Sequence, residues 1–439
     1  MKNHSSGLWR TLLLLTVPLL VCFVVFCLFH RSTPLLHKAT TTRSVTPPTV
    51  TAPPTAYLPN APAVDDTTVD GSIGNYISTS PAQNTETTLP MTGAITVPAA
   101  ENYTRPIGRT VFQNNVRWFS YSGCGIEFKC SAAAADIVCT VPDSSSVVRH
   151  HRPRVGVFVN GILTNDVVLD ETSTTIRVNL RSDGESTVKL LKLSESMHSC
   201  VGVSSITLYG ASDIRPTEEK MNIEFIGDSI TAGFGLDEPN SAGSFSTRTE
   251  NFCETYAYLA STALGADGWG IAYSGYGVLS GYTTSGAQNT AATLPLNYEK
   301  ALTNCRSIND YAATWYFTTQ RPQYIVINLG TNDASYCRST ERREQFAQAY
   351  QSFLGQVRTR NPGAYILCVL GDMNNALYPY IQQAVASYRS ITGDQGVDCM
   401  TLAFQMDNYP HAISGHPSRE SNFVAAQALT NRLWQQMGQ

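Results

Sequence analysis

The chain holds no Cys-x-x-Cys pair, no His-Glu-x-x-His and no glycine-rich phosphate loop. Its motifs therefore support neither a metal nor an organic cofactor. Charge is also scarce. Only 15% of residues are charged and the net charge is −4, which leaves no polybasic surface for nucleic acid. No internal repeat is present. What the chain has is core material: 42% of its residues are apolar, and 439 residues suffice for two or three domains.

Near the N-terminus stands one long apolar run, Leu12–Phe29, interrupted only by Thr16 and Pro18. It just reaches membrane-spanning length. It is read as a transmembrane signal anchor (11–30) behind a short cytoplasmic tail (1–10). A cleaved signal peptide is the rival reading, although no small-x-small cleavage site follows. Residues 31–104 are rich in Thr, Pro, Ser and Ala and nearly uncharged, so they cannot bury enough surface to fold. They read as a disordered stalk, either O-glycosylated or a plain linker. The expected topology is a single-pass (type II) membrane protein with a lumenal or extracellular head, or a secreted one if the N-terminal segment is cleaved. The sequon Asn102-Tyr103-Thr104 and the 11 cysteines suit that side of a membrane.

From 105 to 214, short alternating or β-branched runs recur between turns, with Asn160-Gly161 as a hairpin signal. An all-β sandwich or jelly roll is expected there, with disulfides among Cys124, Cys130, Cys139 and Cys200. From 218 to 439, strands and helices alternate. Strands are expected at Ile223–Ile226, Gly268–Tyr273, Tyr324–Leu329, Ile366–Leu370 and Val397–Leu402. Helices are expected at Thr255–Leu264, Asn297–Tyr311, Arg342–Arg358, Tyr378–Thr392 and Arg419–Met437. This is the pattern of a three-layer α/β/α sandwich on a parallel sheet, whose sites lie beyond the strands' carboxyl ends.

Ser229 falls in Gly227-Asp228-Ser229, where a buried strand gives way to a helix. A serine there is exposed at the sheet edge and close to helix N–H groups. By itself it is as readily a helix cap as a nucleophile. Three other stretches carry the groups such a nucleophile needs. Gly275, in Ser274-Gly275-Tyr276-Gly277, and Asn332, in Gly330-Thr331-Asn332-Asp333, supply N–H donors for an oxyanion alongside the Ser229 N–H. Gly277 competes with Gly275 for that role. His416, in Gly415-His416-Pro417-Ser418, is the candidate base, with His411 its nearest competitor. Asp228 and Asp333 flank the key positions and read as loop supports that accept backbone N–H groups.

The Ser, Gly, Asn and His blocks, in that order, resemble the SGNH (GDSL-type) hydrolases. With a strand-rich region ahead of them, and with Ile327-Asn328-Leu329-Gly330-Thr331-Asn332-Asp333 and Val369-Leu370-Gly371-Asp372-Met373, they are similar to carbohydrate esterase family 2 over about 105–437. That resemblance implies a jelly-roll domain joined to an SGNH domain and release of O-acetyl groups from sugars, without metal or cofactor. Tyr276 or Tyr336 would then stack on a sugar or simply pack. The chain departs from the SGNH pattern at one point. Where an aspartate usually precedes the histidine stand Ile413 and Ser414, and Asp407 is too far back to serve. A backbone carbonyl holding the Nδ1 proton, and hence a Ser–His dyad, is the reading. The expected function is a membrane-tethered serine esterase acting on acetylated carbohydrate. A glycan O-acetyltransferase using the same acyl-enzyme is the alternative, and a glycan-binding surface protein is a third.

Overall fold

The structure, a computed structural model, describes residues 46–51, 93–142, 148–181, 184–211, 213–238, 242–305, 308, 314–371, 373–402 and 408–438. The chain divides into Met1–Thr46 and Pro47–Gln439, and every described strand and helix belongs to the second unit.

Two antiparallel sheets of six strands come first in the chain. One runs in the order Val111–Gln113, Val116–Phe119, Val201–Tyr209, Ala134–Thr140, Ser173–Asn179, with Ala94–Val97 also on Val201–Tyr209. The other runs Asp213–Pro216, Gly125–Ser131, Ser186–Lys192, Arg154–Val159, Ile162–Val168, with Arg105–Ile107 also on Gly125–Ser131. The period-2 pattern explains them. In Ala134–Thr140 every second residue, Ala135, Ile137 and Cys139, is buried. Asn160 and Gly161 both take positive φ, 51° and 83°, between paired Val159 and Ile162. That double left-handed turn matches the twist of a hairpin.

The third sheet is parallel, in the order Asp267–Ala272, Asn222–Gly227, Tyr324–Asn328, Tyr365–Gly371, Val397–Leu402. Helices cover both faces. Tyr256–Ala263 and Arg419–Met437 pack on one side through Leu259, Ala425 and Leu429 against Ile223 and Phe225. Thr340–Arg360 and Tyr378–Thr392 bring Phe346, Leu354 and Ile381 against Ile325 and Ile327. Sandwiched this way, Asn222–Gly227 and Asp267–Ala272 are buried at every position, their acids Glu224 and Asp267 included, each of which is paired with an arginine. The strand first in sequence, Asn222–Gly227, is second in the sheet. The chain leaves it once toward each side, so a crevice opens beyond its carboxyl end.

Buried arginines of the antiparallel region reach acids of the parallel sheet. Arg105 reaches Glu127 at 2.6 Å and Asp267 at 2.5 Å. Arg109, wholly buried, pairs with Glu224 at 3.0 Å.

Three expectations need correction. The helix expected over Asn297–Tyr311 is not formed among the described residues, which run on from the 3-10 turn Leu294–Leu296 in irregular turns. The carbonyls of Tyr298 and Lys300 point to the Arg109 guanidinium, and Lys300 O also accepts from Tyr121. Carbonyls so engaged are not available to bond N–H groups four residues on. Among the described residues the disulfide is Cys200–Cys305, reaching outside the four expected cysteines. Cys124, Cys130 and Cys139 are free thiols, buried in apolar surroundings that push each up to about 12. Finally, among the described residues no helix is long and apolar enough to cross a membrane. This overturns the membrane-tethered, single-pass reading as a statement about the structure. The Leu12–Phe29 run and most of the stalk lie outside the described residues.

Candidate active site

Ser229, His416, Gly275 and Asn332 lie beyond the carboxyl ends of Asn222–Gly227 and the strands beside it. Asp228 stops the strand and caps the short helix Ser229–Ala232, its Oδ1 accepting the Ile230 N–H at 3.0 Å. The helix folds tightly back onto its strand. A Cβ at Gly227 would lie 2.1 Å from Thr231 Oγ1, so only glycine fits. The turn leaves Ser229 at the crevice, 8% exposed.

His416 arrives from the far end of the chain. Ile413–Gly415 forms one 3-10 turn in which Ser414 is left-handed (φ 55°). Ser418 then caps Arg419–Met437, accepting the Ser421 N–H. Between these stops the imidazole is held at both nitrogens. Nδ1 lies 2.8 Å from Ile413 O, and Nε2 lies 2.8 Å from Ser229 Oγ. A carbonyl only accepts, so Nδ1 carries the proton of the neutral ring. Nε2 is left as the acceptor for the Ser229 hydroxyl. Phe234 stacks on the ring, centroids 4.6 Å apart. Burial lowers the imidazole pKa from its usual value. The Ile413 bond and the charge of Glu195 oppose that shift without cancelling it. The ring is therefore neutral, and basic, at neutral pH.

The donor side comes from the two strands flanking Asn222–Gly227. Gly275, after Asp267–Ala272, sits at φ 79°, a left-handed geometry suited to glycine. Among the described residues no acceptor takes its N–H, nor that of Ser229. Gly277 is different: its N–H bonds Ala292 O at 3.2 Å. Asn332 follows Tyr324–Asn328, and its amide donates to Asp228 Oδ2 at 3.1 Å and Tyr276 O at 2.9 Å. An oxyanion there would share one of those hydrogens.

Asp333 accepts the N–H groups of Val278, Leu279 and Ser280, which pins the loop after Gly277. Burial pushes Asp228 up to about 7 and Asp333 up to about 6, in each case against the backbone N–H groups that favour the carboxylate. Tyr276 stacks on Tyr273, whereas Tyr336 is buried under Arg342. His411 is exposed and stands outside the cluster. Asp407 lies outside the described residues. Among the described residues no group of three His, Cys, Asp or Glu side chains is placed to hold a metal ion.

Two neighbours carry no motif. Phe234 lies just beyond the Ser229 helix, and only its place in Gly233-Phe234-Gly235 marks it. Glu195 comes from the antiparallel half and has no local signal at all.

Comparison with known proteins agrees with this geometry. Residues 225–421 match the GDSL-like Lipase/Acylhydrolase family. A cellulase/esterase of Acetivibrio thermocellus is 30% identical over 229 residues, 51% of this chain but 26% of that protein. An acetylxylan esterase / glucomannan deacetylase of Cellvibrio japonicus is 25% identical over 266 residues, 58% of this chain and 71% of that one. The chain thus spans about a quarter of the first relative's length. Among solved structures, an acetyl xylan esterase from the rumen bacterium Butyrivibrio proteoclasticus superposes with a TM-score of 0.71 at 20% identity, covering 79% of this chain and 98% of that one. The matched segment and the superposed structure agree on an SGNH/GDSL-like α/β fold for this chain.

Proposed function

We propose that the chain removes O-acetyl groups from carbohydrate through a Ser229–His416 dyad and an acyl-enzyme. The observation that carries this is the 2.8 Å contact of Ser229 Oγ with a His416 Nε2 whose tautomer is set by Ile413 O. Ser229 Oγ attacks the acetyl carbonyl carbon while Nε2 takes the hydroxyl proton. Charge develops on the carbonyl oxygen, where the N–H groups of Ser229 and Gly275 and the Asn332 amide meet it. Each such donor is typically worth roughly 3 kcal/mol. On collapse, Nε2 returns the proton to the departing sugar oxygen and leaves acetyl-Ser229. Water then repeats the sequence, releases acetate and restores the serine. Throughout, Nδ1–H stays on Ile413 O, which stabilises the imidazolium less than a carboxylate would but keeps Nε2 on Ser229 Oγ.

The substrate class rests on the names of the relatives, an acetylxylan esterase / glucomannan deacetylase and a cellulase/esterase. The proposal includes the division of labour read from sequence: a jelly-roll unit over 105–214 and an SGNH unit over 218–439. Acetate release from acetylated xylan, acetylated glucomannan and an aryl acetate, by wild type and by Ser229→Ala, tests the reading. Wild type should release acetate and the variant should not. No release by wild type, or undiminished release by the variant, would end the proposal.

A further inference from the structure

The antiparallel half contributes a carboxylate to this site that no hydrolase motif contains. Glu195 lies just past the strand Ser186–Lys192 and is completely buried, as are its neighbours Ser194 and Ser196. A buried carboxylate is costly unless its oxygens are engaged. Glu195 Oε2 accepts the backbone N–H of Ser274 at 2.7 Å, a short, charge-assisted bond. Oε1 makes no hydrogen bond and lies 3.5 Å from His198 Nε2.

The glutamate's own backbone is tightly held. Its N–H donates to Glu250 Oε2 at 2.8 Å, and its carbonyl accepts from the buried Lys192 Nζ at 2.6 Å. It is therefore a rigid post, and what it grips is the residue before Gly275. On the other side of that glycine, Gly275 O accepts the Tyr282 N–H at 2.8 Å. Gly275 has no side chain to hold it, and a Cβ there would meet nothing within 4 Å. The Ser274 and Tyr282 bonds thus bracket its free N–H, together with the Tyr276 N–H bond to Tyr273 O at 3.2 Å that closes the turn.

We propose that Glu195 is a positioning residue for the acyl-transfer site: clamping Ser274 N–H, it holds the Gly275 N–H aimed at the oxyanion. The inference rests on the esterase reading above. It makes the antiparallel half part of the catalytic apparatus, since the oxyanion loop of one half is anchored on a side chain of the other.

Three variants assayed on an aryl acetate test it, once Ser229→Ala has established that the activity belongs to this site. Glu195→Gln keeps an oxygen able to accept from Ser274 N–H. Glu195→Asp keeps the charge but draws it back by one methylene. Glu195→Ala removes both. The expected order of kcat is Gln above Asp above Ala, with Gln within about fivefold of wild type. Ala should lose about a hundredfold, the scale of one oxyanion donor. KM should move less than about threefold, because the ground-state ester does not depend on this bond. Gln at least fivefold faster than Asp supports the clamp, whether or not Ala folds. Gln equal to or slower than Asp overturns it, as does a folded Ala variant with wild-type kcat. If Ser229→Ala shows the activity to lie elsewhere, it is the esterase reading that fails.

Discussion

Ile413 O accepts the Nδ1 proton of His416 at 2.8 Å, so a main-chain oxygen occupies the position a carboxylate holds in a Ser–His–Asp arrangement. The Ile413 side chain is buried and turned to another task. It packs against Gly235, where an added Cβ would come within 2.8 Å of it. Orientation of the imidazole is thus a property of the turn, not of any side chain at 413.

Ile413→Asp therefore should not speed the reaction. A carboxylate there would replace a buried apolar group, costing roughly 2–4 kcal/mol of stability, for a bond the backbone already makes. The expected outcome is a lower unfolding midpoint with kcat raised less than about threefold. A tenfold rise in kcat would mean that the carbonyl orients the ring poorly.

Ser229→Ala and His416→Ala should each reduce kcat on the order of 10⁴-fold or more, and the double variant should fall little further, because nucleophile and base act as one unit. Steady-state rates on an aryl acetate, with circular dichroism to establish folding, check this. Additive losses in the double variant would contradict the dyad.

Asn332→Ala should lower kcat by about a hundred- to thousandfold with little change in KM. Part of the loss reflects the Asp228 Oδ2 and Tyr276 O left without their donor. A change confined to KM would remove Asn332 from the oxyanion role.

The pH profile is set by the lowered imidazole pKa. The base must be neutral, so kcat/KM falls when His416 takes a proton. Since burial disfavours the cation, the acid limb should lie below 6.5. Phe234→Ala admits water to the ring face, relieves part of that desolvation and should move the limb upward, toward 6.5. A wild-type limb at or above 6.5, or a downward move in the variant, is the contrary result.

The Cys200–Cys305 bridge joins residues 105 apart in sequence. Cys305→Ser, or reduction, should lower stability by about 2–4 kcal/mol through the freed unfolded chain. Activity below the new midpoint should persist, because neither cysteine touches Ser229 or His416. Thermal unfolding with and without reductant measures it.

What the sequence by itself determined is local. The five parallel strands are legible because each is a short, mainly apolar run between turns, and antiparallel ones such as Ala134–Thr140 because their residues alternate. Ser229, Gly275, Asn332 and His416 stand out because each sits in a short turn beside such an element, where the backbone demands glycine, a cap or a small polar group. Tertiary structure alone decided the rest. The Ser229–His416 contact joins residues 187 positions apart, and the Glu195–Ser274 bond crosses from one half of the chain to the other. The Cys200–Cys305 pairing and the grip of Arg109 on the Tyr298 and Lys300 carbonyls, where periodicity suggested a helix, are equally distant. None of these leaves a periodic or spacing signal. A buried polar group must find a partner, but which partner depends on where packing brings two remote segments together.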